Sequence, residues 1–307
     1  MAEIKPSLAA FIAENMKHRK TMTPITMREG SRRTAEAQEL PKVAVHDVMD
    51  TVMTGCDAYD VPVRIYIPQA AGPLPVLIYY HGGGFVIDDV IVYDPICRRI
   101  AMATKHIVIS PEYRLAPENP YPAAEVDALA VAKRALPTLD RLGVAYTPDV
   151  TLCGDSAGGY LAAMTAISLQ GDKTVPMTHQ ILIYPCLDMT SSYPSIQENC
   201  NASTGFLPEK LTWYFSQYFR HPVDKQAVSP LYRQLTKDMV PTLVMTTQFC
   251  PFRDEGKAYA EKIQSLGVLA VWHNYENMVH SYLNFEKICY DEICDTYERM
   301  NQFLQTY

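Results

Sequence analysis

The chain has 307 residues, 48% of them hydrophobic and 20% charged, which is enough apolar material for one large α/β core. A formal net charge of −7 offers no basic surface to attract phosphate and argues against nucleic acid as a partner. No stretch approaches the roughly 20 apolar residues that span a bilayer, and the first apolar run, residues 8–13, is too short and interrupted for a secretory leader, so a soluble, cytoplasmic protein is expected.

Residues 1–42 read as an amphipathic helical arm carrying Phe11 and Met16, with the basic clusters 17–20 and 32–33 on solvated faces. Strands are predicted over 43–52, 61–67 and 76–80, the last running into His81-Gly82-Gly83-Gly84. A helix over 93–103, a strand over 106–110 and a helix over 123–136 follow. The next strand, 150–153, leads into Gly154-Asp155-Ser156-Ala157-Gly158 and a helix over 158–169. After a strand over 180–184, residues 188–228 break the alternation and contain Leu211-Thr212-Trp213-Tyr214-Phe215. Long insertions between strands of a wound sheet are usually functional, so this segment and the arm are read as parts of a cap. Trp213, Tyr214, Phe215 and Tyr218 are expected to pack one helix face within it. The chain closes with a strand over 242–247, a helix over 254–266, a strand over 269–275 and a helix over 284–303. Strands alternating with helices argue for a mainly parallel sheet covered on both faces.

The chemistry is concentrated at two glycine-rich turns. A serine between glycines, directly after the run Val150-Thr151-Leu152-Cys153, is the nucleophile-elbow pattern, in which a strand turns sharply into a helix and presents the hydroxyl. Alone it is equally a serine at a helix N-terminus. A serine hydroxyl needs a base and donors for the oxyanion it creates. The HGGG run after strand 76–80 supplies such donors in esterases, so Gly83 and Gly84 are assigned as donors with the Ala157 N–H, and His81 as a structural residue of the loop. Asp155 is read as stabilising the turn through backbone hydrogen bonds. The base should follow the serine in the chain. His280, just after the final strand, fits better than His179 or His273 within strands or His221 in the insertion.

These motifs, with Tyr113-Arg114-Leu115-Ala116-Pro117-Glu118 and Arg253-Asp254-Glu255-Gly256, make the chain resemble the hormone-sensitive-lipase-like family of α/β-hydrolase carboxylesterases over nearly its whole length. The resemblance implies an α/β-hydrolase fold: an eight-stranded, mostly parallel sheet with strand two antiparallel, flanked by helices, spanning 43–307. It also implies a cap from the 1–42 arm and the 188–228 insertion, and hydrolysis of short-chain acyl esters with Ser156 as nucleophile and His280 as base. One position departs. Where the family has Asp-Pro-Leu-Arg-Asp-Glu-Gly with its first Asp as triad acid, this chain has Cys250-Pro251-Phe252-Arg253-Asp254-Glu255-Gly256. Asp254 and Glu276 are candidates to supply the charge from another direction. The alternatives are a Ser-His dyad, or a catalytically impaired protein that only binds small molecules. Ser281-Tyr282 replaces the family's usual Gly-Phe and is expected to narrow the pocket.

No cofactor or metal is expected, since no histidine and carboxylate cluster has ligand spacing and the HGGG loop lacks the Lys and Ser/Thr of a phosphate loop. The eight cysteines, Cys56, Cys97, Cys153, Cys186, Cys200, Cys250, Cys289 and Cys294, show no CxxC pair and read as reduced small hydrophobes. The expected partner is a small-molecule ester, and a homodimer is left open.

Overall fold

The computed structural model describes residues 2–18, 20–55, 57 and 59–307. Cys56 and Arg19 of the basic cluster lie outside the described residues. Two helices open the chain, α1 (Pro6–Lys17) and α2 (Pro24–Gln38), each with proline in its first turn, where a missing N–H loses no intrahelical bond. Leu8 and Ile12, one turn apart, form the buried face of α1.

Eight strands build one sheet: β1 (Asp47–Thr54), β2 (Asp60–Ile67), β3 (Leu74–Tyr80), β4 (Ile107–Pro111), β5 (Tyr146–Asp155), β6 (Met177–Ile183), β7 (Thr242–Phe249) and β8 (Ala270–Val279). Their spatial order is β1-β2-β4-β3-β5-β6-β7-β8. β2 runs antiparallel to both neighbours and the strands from β4 to β8 are mutually parallel, as expected. Covering helices are α3 (Asp94–Thr104), α4 (Ala123–Leu142) and α5 (Ala157–Leu169), then α6 (Pro194–Asn199) and α7 (Pro208–Tyr218) in the long insertion, then α8 (Arg253–Ser265) and α9 (Tyr290–Thr306). Covered on both faces, β3 reads as a continuous apolar run, and Val76 through Tyr80 are fully buried. The seven described cysteines are free, five of them buried. Among the described residues no helix is long and apolar enough to cross a membrane.

Several boundaries differ from the sequence reading. β1 begins at Asp47 rather than at 43, because its partner β2 ends at Ile67, before Pro68, and the antiparallel register has nothing further to pair. α4 continues through Pro137 to Leu142 and ends at Gly143, in left-handed backbone at φ 68°. Burial of Thr138 and Leu139 against the core holds the turn that proline alone would end. β8 continues to Val279, and α9 starts at Tyr290, later than expected. The chain between them makes a short 3₁₀ turn, Tyr282–Asn284, whose neighbour Lys287 bonds backward to the arm through the Gln38 and Ala37 carbonyls.

Candidate active site

The carboxyl ends of β3, β5, β7 and β8 converge at one edge of the sheet, where wound α/β folds bind ligands. At the end of β5 the chain turns through Ser156, held at φ 54° and ψ −118°, and α5 starts one residue later. The Ser156 N–H donates to the Ile183 carbonyl at 2.9 Å and its carbonyl accepts from the Cys186 N–H at 3.2 Å, so the end of β6 and the chain just beyond it fix the strained residue. Close packing requires the glycines. A Cβ at Gly158 would overlap the Tyr80 carbonyl, and one at Gly154 the carbonyl of Gly158. Gly158→Ala is therefore expected to lower the unfolding free energy by about 3 kcal/mol or more, read as a fall in the denaturant midpoint. A variant as stable as the parent would mean that α5 and β3 can separate freely here.

Ser156 Oγ lies 2.9 Å from His280 Nε2. The imidazole is the first residue beyond β8, and the Phe249–Val279 pair of the β7–β8 ladder, reached after a register shift, sets Cys250 and His280 side by side. His280 Nδ1 is 3.1 Å from Cys250 Sγ, and the Phe252 N–H donates to the same sulfur at 3.3 Å. With the Ser156 hydroxyl donating to Nε2, Nδ1 carries the proton and donates to sulfur, a weak acceptor. Phe252, Tyr184 and Phe206 surround the ring edge to face, with centroids 5.0, 5.0 and 5.3 Å away. Burial, with a smaller contribution from the Lys210 ammonium, holds the imidazole down to about 3. Burial likewise pushes the Cys250 thiol well above its ordinary value, leaving it neutral.

Asp254 is not at the histidine, which corrects its place as the tentative acid. Its Oδ2 accepts the Ser195 N–H at 3.0 Å and its Oδ1 accepts from Arg253 Nε at 2.8 Å, as a carboxylate in the first turn of α8 that ties down α6. Glu276 is exposed on β8. Of the other histidines, His221 is exposed, His179 packs on Phe303 and His273 on Tyr275.

The HGGG loop follows β3. Gly83 and Gly84 adopt φ 101° and 60°, conformations open to glycine at no steric cost. Ala157 begins α5, so its N–H is among those with no partner inside the helix. Asp155 ties the two turns together more firmly than the backbone role expected of it. Its carboxylate accepts the hydroxyls of Tyr79 and Tyr93 at 3.0 Å each, in addition to the Gly82 N–H. Burial raises it to about 7 against those bonds. His81 is buried, its Nδ1 is 2.8 Å from the Gly82 carbonyl, and Tyr113 donates to its own carbonyl at 2.7 Å. Burial holds its imidazole down to about 4, in keeping with a structural part.

Ser156, His280, Gly83, Gly84 and Ala157 border one cavity of about 630 Å³. α1 contributes Phe11 and Ile12, α2 contributes Met27, and the insertion contributes Phe206 and Leu211. Arg28 of α2 donates to the Val86 carbonyl at 2.8 Å, holding the arm against the HGGG loop. Tyr214 and Phe215 also face the cavity, whereas Tyr218 stacks on Phe85 at 3.9 Å, so these aromatics do not share the single packing face expected of them. The aromatic cage of His280 and the tyrosine pair on Asp155 escaped sequence reading, since their members lie far apart in the chain. Among the described residues no group of three or more His, Cys, Asp or Glu is placed to hold a metal ion.

Comparison with known proteins agrees with this architecture. The family described by the alpha/beta hydrolase fold matches residues 77–284. The chain is 33% identical over 257 residues to the esterase LipI of Mycobacterium tuberculosis, covering 81% of this chain and 79% of that protein. It is 30% identical over 249 residues to an ethyl acetate hydrolase of Pseudomonas putida, covering 78% and 77%. The solved structure of a hyperthermophilic esterase from Pyrobaculum calidifontis superposes with a TM-score of 0.90 at 32% identity, covering 98% of this chain and 97% of that one. With eight strands in this order, an elbow after β5 and relatives of this kind, the chain belongs to the α/β-hydrolase family, among its hormone-sensitive-lipase-like carboxylesterases.

Proposed function

We propose that the chain is a carboxylesterase that cleaves short-chain acyl esters through an acyl-enzyme on Ser156. The observation that carries this reading is the 2.9 Å contact of Ser156 Oγ with His280 Nε2 on the wall of the cavity. Nε2 takes the hydroxyl proton as Oγ attacks the ester carbonyl carbon, and the N–H groups of Gly83, Gly84 and Ala157 receive the oxyanion. The imidazolium returns the proton to the leaving alcohol, and water repeats the sequence on the acyl-enzyme. Cys250 replaces the usual triad acid: its sulfur accepts a hydrogen bond from the Nδ1–H and fixes the ring, but as a neutral thiol it adds no charge to stabilise the imidazolium. α1, α2 and residues 188–228 act as a cap that walls off the ester's apolar parts. The test is hydrolysis of p-nitrophenyl butyrate by the native chain and by Ser156→Ala. Turnover that the substitution leaves untouched overturns the proposal.

A second reading, a hydrolase-derived binding protein, is favoured by one observation, the thiol where the histidine needs a carboxylate. Saturable ester binding with no Ser156-dependent product would favour it.

A further inference from the structure

Four of the seven non-glycine residues with positive φ among the described residues, Phe85, Asp88, Ser156 and Ser281, border the cavity. Ser156 owes its backbone to the elbow. Asp88, at φ 71°, belongs to no such motif. Left-handed backbone outside glycine carries a cost that the surroundings must offset, and it gathers where a side chain has to be aimed.

What Asp88 aims is a carboxylate, and the residue is only 8% exposed. It closes the turn in which the N–H groups of Val86 and Ile87 donate to the Gly83 carbonyl at 3.1 and 3.0 Å. Its Oδ2 is consequently 3.0 Å from the point a Cβ on Gly83 would occupy, directly against an oxyanion glycine. Ser31 of α2 donates to Oδ1. A carboxylate has about four acceptor sites, and among the described residues Ser31 is the sole hydrogen-bond donor to this one. Burial accordingly raises it to about 6 in spite of that bond. A buried, under-bonded carboxylate beside the oxyanion glycines opposes the negative charge of the tetrahedral intermediate unless a donor takes up part of its own charge.

We infer that Asp88 is a specificity-determining residue whose Oδ2 accepts a hydrogen bond from a hydroxyl group carried by the ester, an inference that rests on the proposed esterase activity. A neutral donor fits better than an ammonium group, because Lys210 of α7 borders the same cavity and acts on Asp88, and its charge would repel a second cation. An ester without the hydroxyl leaves the carboxylate under-bonded in the transition state, which is how a polar site rejects an apolar analogue.

The test compares two pairs of esters differing by one hydroxyl: ethyl 3-hydroxybutyrate with ethyl butyrate, and 4-hydroxybutyl acetate with butyl acetate. The variant is Asp88→Gly, which keeps the left-handed backbone without strain and removes the carboxylate. For at least one pair, the kcat/KM ratio of hydroxylated to plain ester is expected to fall about 10-fold or more in Asp88→Gly, with Asp88→Asn in between. Ratios unchanged in both pairs overturn the inference while Ser156-dependent turnover leaves the esterase reading intact. If no such turnover exists, that reading fails instead, and the comparison is made on Kd by calorimetry in Ser156→Ala, with and without Asp88→Gly. Loss of the hydroxyl preference then supports the role of Asp88, and an unchanged preference overturns it.

Discussion

Replacing Cys250 with aspartate should raise kcat for a short-chain ester by about 10²- to 10⁴-fold, the inverse of the loss seen when a triad loses its acid. The sulfur already stands 3.1 Å from His280 Nδ1, where the orienting group belongs, and the Phe252 N–H at 3.3 Å is in place to bond a carboxylate oxygen. Neither Asp254, engaged by Ser195 and Arg253, nor exposed Glu276 reaches the ring, so the introduced charge would duplicate nothing. The pH profile adds an independent readout. In the native chain burial holds the imidazole down to about 3, so it is neutral and able to accept a proton through most of the acid range. An adjacent carboxylate favours the imidazolium and should move the acid limb of kcat/KM up by about 1–3 pH units. Equal rates and superimposable pH profiles for the two proteins would mean that another group already supplies the charge, and would defeat this account of Cys250.

The cost of Ser156→Ala should depend strongly on which residue occupies position 250. Nucleophile, base and acid act as a unit: losing any essential member forfeits most of what the others contribute, and the effects do not add. In a complete triad, removing the serine costs about 10⁶-fold in kcat, of which loss of the acid alone accounts for about 10⁴. With a neutral thiol already at Nδ1, Ser156→Ala is expected to cost only about 10²-fold, leaving what binding and the oxyanion donors provide. In the Cys250→Asp background the same substitution should cost about 10⁶-fold. Initial rates for the four proteins of this cycle on p-nitrophenyl butyrate provide the check. Equal factors in both backgrounds would show that Ser156 and position 250 do not work together.

Much of this site could be read from local sequence because its constraints are local. The elbow declares itself at 154–158 since the turn tolerates only glycine where α5 crosses the Tyr80 carbonyl, and that demand is met within five residues. The HGGG run is legible for a related reason: backbone at φ 101° and 60° calls for glycine. The strands were recognisable because those covered on both faces must be continuously apolar, whereas their ends slipped. β8 reaches Val279 only because β7 offers partners to Phe249, and α4 passes Pro137 only because Leu139 is buried beyond it.

The sequence by itself determined the hydrolase architecture, the sharp glycine-flanked turn at Ser156, the HGGG loop and the presence of a thiol where an acid was expected, each being a matter of neighbouring residue types. Tertiary structure decided the distance at which the expected base His280 meets Ser156, that Cys250 rather than Asp254 meets that histidine, and that Asp155 ties the two turns together through Tyr79 and Tyr93. It also placed the Asp88 carboxylate against Gly83 from a position that carries no motif. These pairings join side chains up to 124 positions apart. Their distances are set by strand register and helix packing, which no local pattern of residues encodes.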